Sequence, residues 1–197
     1  MTRMRWTFVI IASLATGCAS TPLHFHTLVR ESGHNASSAG EANLRVKVDL
    51  LRVPAQVDRL ELVTRLPNGG VAIADDERWI APVADELQSA LSVELLSRLG
   101  DAKHSAGSDS MSVRLNVERF ESALSRYALI EASWTLHLKS SRMNVSLDCR
   151  TRAYEPVGAG YAELVRGYQR AVVVIANEMV TVAGESSAGV AANCPES

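Results

Sequence analysis

Three stretches in the second half of the chain alternate apolar and polar residues with a period of two. A backbone that does this over about ten residues reads as a half-buried strand. Residues 111–120 alternate through Val113, Leu115 and Val117, and residues 129–138 through Ile130, Ala132, Trp134, Leu136 and Leu138. Residues 141–151 set Met143, Val145, Leu147 and Cys149 against Asn144, Ser146, Asp148 and Arg150. Successive strand side chains point to opposite faces, so each strand has one dry and one wet face, the mark of an antiparallel sheet solvated on one side. The dry face must be covered.

Two amphipathic segments can cover it. Residues 82–99 carry Val83, Leu87, Ala90 and Leu91 on one helical face, with the stripe drifting toward Leu95 and Leu99. Pro82 suits the first helical position, Asp85 and Glu86 suit the positive end of the helix dipole, and Gly100 supplies a stop. Residues 160–182 place Tyr161, Leu164, Val165, Tyr168, Val172, Ile175 and Met179 in helical register. Earlier in the chain, residues 23–29, 45–53, 60–65 and 71–74 read as further strands, with Val46, Val48 and Leu50 on one face of the second. The Pro67-Asn-Gly-Gly70 segment carries the Asn-Gly hairpin signal, whose turn takes positive φ at both central residues. The expected fold is α+β: a mostly antiparallel sheet with two main helices packed on one face.

The first twenty residues follow another logic. Arg3 and Arg5 precede an apolar run from Trp6 to Ala15, followed by small residues and Cys18. This is the layout of a leader that is removed, and the run is shorter than the roughly 20 apolar residues a spanning helix needs. The segment Leu14-Ala-Thr-Gly-Cys18 resembles the bacterial lipobox, whose cysteine is acylated and becomes the first residue of the mature chain. That resemblance implies a leader at 1–17, a lipidated terminus and short tether at 18–22, and a lipid attachment at Cys18. Ala19, rather than aspartate, after the cysteine favours the outer membrane.

The mature chain would have 180 residues, enough for one domain with a sizeable core. Losing Arg3 and Arg5 leaves 18 basic residues against 22 acidic, a net charge of −4, and no basic cluster suggests nucleic acid. The other cysteines, Cys149 and Cys194, lack the spacing of a metal or thioredoxin-like motif. In an oxidising compartment they either form a disulfide, with Cys149 in the core phase of its strand and Cys194 pinning the tail, or remain a buried thiol and a free one.

The search for catalytic patterns returns little. His24-x-His26 has the spacing of a metal pair on one side of a strand, but no HExxH motif or carboxylate cluster completes it, so these read as ordinary histidines. The segment Gly184–Gly189 fails the GxSxG pattern, because Ala188 stands where the second glycine belongs. Gly158-Ala-Gly160 lacks the third glycine of a dinucleotide site and reads as a turn before the last helix. Asp75-Asp-Glu77 reads as a solvated turn before the first helix, and Trp79 and Trp134 as core filling. No metal, cofactor or catalytic residue is expected.

Residues 53–65 (VPAQVDRLELVTR) and 77–82 (ERWIAP), placed after a lipobox and a first strand, resemble the PqiC-type (YmbA-like) ABC-transport auxiliary lipoproteins. Pro54, Asp58, Arg59, Val63, Arg65, Arg78, Trp79 and Pro82 match the family pattern. Leu60 replaces a proline, Val83 a leucine, and Phe25-His26 an aromatic pair. The resemblance runs over residues 23–182, leaving 183–197 as a flexible tail. It implies a non-enzymatic, periplasmic lipoprotein of the outer membrane that docks an MCE-domain lipid transporter subunit, while the free edges of an antiparallel sheet point to a homo-oligomer. The rival readings are a module that anchors or activates a cell-wall enzyme, and a hydrolase, against which the failed motif search weighs. Arg65, Arg78 and Trp79 are expected to fix geometry, which leaves the loops at 31–40 and 101–110 for partner contact.

Overall fold

The computed structural model describes residues 22–31, 44–99, 109–141, 143–187 and 194. The leader, Cys18, most of the tether, nearly all of both candidate contact loops and most of the tail lie outside those residues. Chain order is β1 (His24–His26), β2 (Arg45–Arg52), β3 (Glu61–Arg65), β4 (Val71–Trp79), α1 (Val83–Leu99), β5 (Ser110–Ala123), β6 (Tyr127–Lys139), β7 (Asn144–Pro156) and α2 (Tyr161–Ser187). The fold is α+β, and the strands divide into two sheets rather than one.

The larger sheet has the order β2-β5-β6-β7. Its three long strands form an antiparallel meander, Trp134 facing Leu115 on one side and Cys149 on the other. β2 pairs in parallel with the first half of β5, leaving the second half of β5 without a neighbour from its own sheet on that side. The inward residues Val113, Leu115, Ile130, Ala132, Trp134 and Leu136 are buried, as the alternation requires. α2 packs on β6 and β7, while α1 packs on β2 and α2. Gly167 makes that closeness possible, since a Cβ there would collide with Val157 Cγ1 and lie 3.1 Å from the Ala128 Cβ. A chain of polar groups crosses this dry layer. The Trp134 indole donates to the Thr151 hydroxyl at 2.9 Å, and that hydroxyl donates on to Glu178. Burial pushes the Glu178 carboxyl up.

The smaller sheet has the order β1-β4-β3, with β1 parallel and β3 antiparallel to β4. β4 runs on to Trp79, so Asp75, Asp76 and Glu77 are strand residues and not a solvated turn. A register shift opposite the Glu61–Val63 step breaks the apolar alternation there and hides the strand from a periodicity reading. The hairpin turn also differs from expectation. Gly69 N–H donates to the Leu66 carbonyl at 3.1 Å, so Pro67 and Asn68 are the central residues, and only Gly69, at φ 85°, takes positive φ. Pro67 fixes a negative φ at the first central position, which selects a right-handed turn followed by a left-handed glycine.

The amino-terminal segment is tied down. Buried Glu86 of α1 accepts from the Thr27 hydroxyl at 2.8 Å and from Leu28 N–H at 2.7 Å, and Gln169 of α2 donates to the Thr27 carbonyl at 3.0 Å. At the other end α2 continues to Ser187, five residues past the sequence estimate, so Gly184 to Ser187 are helical and form no strand-to-helix elbow. Cys194 meets Cys149 in a disulfide with a Cα–Cα distance of 5.2 Å, spanning 45 residues. Closing such a loop should stabilise the fold by ~3–4 kcal/mol on the chain-entropy model. Thiol counting on denatured, unreduced mature protein should therefore find no reactive thiol at Cys149 or Cys194. Two reactive thiols would remove the bridge from this account.

Candidate functional site

The family-motif residues singled out by sequence converge on the small sheet and its junction with β5, in two different roles. Some build the junction. Asp58 Oδ1 accepts from the Ala84 N–H at 3.0 Å, capping α1 from a loop 26 residues earlier. Pro82 accepts the first helical bond of α1, from Glu86 N–H at 3.0 Å. Trp79 is buried, with its ring edge-on to Phe120 at 6.3 Å and to Tyr168 at 6.1 Å. Phe120 and Tyr168 stack at 4.1 Å. Burial pushes the Tyr168 phenol far above its usual range, so it stays a neutral hydroxyl.

The others border an open groove of about 580 Å³ where the β3 edge faces the unpaired half of β5. Val57, Val63, Ile73 and Phe120 give it an apolar floor, while Pro54, Arg59, Arg65 and Arg119 contribute to its walls. Its cations are held by carboxylates. Arg59 donates to Glu61 at 2.9 Å, and the other Glu61 oxygen lies 3.9 Å from Arg78, which is outside the groove. Arg65 meets Glu121 at 2.5 Å, and Arg119 bridges Glu121 at 3.1 Å and Glu131 at 3.0 Å. Tyr127 also donates to Glu121, at 2.5 Å. Burial alone would push the Glu121 carboxyl up, but the bonds from Tyr127, Arg65 and Arg119 outweigh it and hold the carboxyl below its usual range. An apolar floor between fixed charges suits the seating of an amphipathic partner segment.

On the far flank of the same sheet, His24 Nδ1 lies 3.1 Å from one Glu77 oxygen and His26 Nε2 lies 2.5 Å from the other. The histidines thus have a carboxylate partner that the sequence reading placed in a turn. Among the described residues no group of three His, Cys, Asp or Glu side chains is arranged to hold a metal. The groove's central carboxylate, Glu121, was missed, because its partner Arg65 is 56 positions away and no local signal joins them. Phe120, the floor residue, was visible only as the end of an alternating strand.

The family model described as "ABC-type transport auxiliary lipoprotein component" matches residues 26–180. A crystal structure of an uncharacterised protein superposes with a TM-score of 0.58 at 19% identity, covering 84% of this chain and 99% of that one. A crystal structure of a Xanthomonas campestris protein gives 0.55 at 16% identity, covering 74% and 88%. At these identities the likeness is one of fold. No curated protein matches this chain at a significant level.

The Glu121 cluster makes a pH-dependent prediction. Its carboxyl is held below the ordinary glutamate value of 4.5, so its contribution to stability is present above that value and lost as pH falls through the folded-state value. Glu121→Gln should cost ~1–3 kcal/mol at neutral pH, the range for breaking a charged, partly buried hydrogen-bond set. In chemical denaturation as a function of pH, the gap to wild type should narrow below pH 4.5. A gap independent of pH would contradict this role.

Proposed function

Because this chain belongs to the family of ABC-type transport auxiliary lipoprotein components, we propose that it is the outer-membrane-anchored docking subunit of an MCE-type intermembrane lipid transporter. The carrying observation is the family match over residues 26–180, nearly the whole folded domain. Among the described residues no helix is long and apolar enough to cross a membrane, which agrees with attachment through the acylated Cys18. The job is mechanical rather than catalytic. A diacylated terminus retains the domain at the membrane, since each buried CH₂ contributes ~0.8 kcal/mol. The domain then offers the amphipathic groove between β3 and β5 to a segment of the MCE subunit. Charged walls set the register of that segment, and the apolar floor supplies its burial.

The same reading includes a homo-oligomer. Among the described residues β7 is the outer strand of the larger sheet, and an outer strand is a template for backbone pairing with a second copy. Closed rings remove such edges.

Envelope fractionation and pull-down test the proposal together. Acylated protein should fractionate with the outer membrane and retain an MCE-domain protein, whereas Cys18→Ser should leave a chain without its acyl groups, uncleaved or mislocalised. Ile73 lines the groove yet is exposed, so Ile73→Asp should leave folding intact. It should weaken MCE retention by about tenfold, the cost of one apolar anchor at an interface. Acylated wild type that retains no MCE protein would refute the transporter reading. An unmodified amino terminus beginning at Ala19 or later would refute the anchor.

A further inference from the structure

Exposed large apolar side chains are not spread evenly over the molecule. Nine are prominent among the described residues, and seven of them lie in or directly beside β1, β3 and β4. Single exposed apolar residues need no explanation, but a concentration on one small sheet marks a contact surface. Part of it belongs to the groove. Leu60 and Leu66 flank β3, and the other three sit on the opposite flank, around β1. Leu23 is 49% exposed, Phe25 61% and Ile80 62%.

These three are brought together by backbone pairing. Phe25 is in register with Arg78, and Ile80 N–H donates to the His26 carbonyl at 2.9 Å, placing Ile80 at the end of β1. Since strand side chains alternate, the turn of His24 and His26 toward Glu77 leaves Phe25 on the other face with Arg78. The Arg78 side chain is 33% exposed, and the Glu61 carboxylate lies 3.9 Å from its guanidinium.

The position of this flank says what covers it. Leu23 is five residues from Cys18, so it can lie no further than ~18 Å from the acylated residue. β1 cannot swing away, because Glu86 and Gln169 fix the segment that follows it. We propose that the β1 flank is a membrane-contact face: Leu23, Phe25 and Ile80 enter the headgroup–acyl boundary of the bilayer that holds the lipid anchor, with Arg78 at phosphate level. The proposal rests on the lipid-anchor reading. It sets the domain's orientation, β1 toward the bilayer and the groove, two strands away, open to the periplasm. Asp75 and Asp76 sit on the neighbouring strand, so apolar insertion carries the contact rather than net positive charge, and it persists at high salt.

Phe25→Trp in the acylated mature chain tests it, in phosphatidylethanolamine and phosphatidylglycerol vesicles with brominated or ordinary acyl chains. Trp79 and Trp134 are each 2% exposed and supply a constant background, and Trp6 leaves with the leader. Emission from the introduced indole should shift to the blue and lose about half its intensity on the brominated vesicles alone, because interfacial side chains sit ~5–10 Å into the boundary. Adding Ile80→Asp should reduce that quenching while the background emission stays unchanged. Red-shifted, unquenched emission from the introduced indole on acylated, vesicle-bound protein would overturn the proposal. So would blue-shifted but unquenched emission, which would mean that a second copy or a partner protein covers the face. Mass spectrometry of the same sample separates the two readings: acylated chain with an unquenched indole sinks this inference alone, whereas chain without acyl groups sinks the anchor and this inference with it.

Discussion

The contact on which the rest depends is the meeting of Trp79, Phe120 and Tyr168. Each ring comes from a different layer: β4 of the small sheet, β5 of the large sheet and α2. Among the described residues the two sheets share no hydrogen-bonded ladder, so this cluster, the apolar residues around it and the Arg65–Glu121 pair join them. Truncating a buried tryptophan costs ~3–5 kcal/mol, and edge-on aromatic pairs add ~0.5–1.5 kcal/mol beyond their area. That is a large share of the roughly 5–15 kcal/mol by which a domain of this size is stable. The groove lies directly over this joint, with Phe120 in both. The groove and the core are therefore built from the same contact.

The small sheet then works through its two flanks. One is tied to the helices through Glu86 and Gln169 and leads out toward the tether. The other ends in a groove whose arginines are fixed by Glu61 and Glu121. Charges already neutralised by partners contribute little attraction of their own. They favour a segment that matches their pattern and oppose one that would displace them. This is the chemistry that the proposed docking role requires.

The sequence made the large sheet legible because one of its faces is wet, so polar and apolar residues alternate along β6 from Ala132 to Leu138, although β5 slips register between Val117 and Arg119. It also marked both helices, since their apolar stripes meet a sheet. The small sheet was only partly legible. The acidic run at Asp75 to Glu77 resembles a solvated turn unless one knows that His24 and His26 face it from β1. The parallel pairings of β1 with β4 and β2 with β5 leave no local trace, because strand direction is decided by connections elsewhere in the chain. Family motifs located Arg59, Arg65 and Trp79, and the expectation that Arg65 and Trp79 fix geometry holds, through an ion pair with Glu121 and burial in the core. The carboxylates that hold the two arginines differ in the same way: Glu61 is two residues from Arg59 and readable, while Glu121 is brought to Arg65 only by the fold.

Native-state hydrogen exchange tests most directly whether the aromatic joint makes one rigid body of the two sheets. The Trp79 amide bonds to the Leu60 carbonyl at 2.7 Å, and the Ile80 amide to the His26 carbonyl at 2.9 Å, so both report on the small sheet. Central amides of β6, hydrogen-bonded between β5 and β7, report on the large one. The account predicts that the Trp79 amide exchanges through the same global opening as those of β6. It also predicts that Trp79→Phe lowers the protection of both sheets together. Opening of the small sheet at a free energy lower by ~2 kcal/mol or more, with β6 unaffected by Trp79→Phe, would show two separately stable units and contradict it.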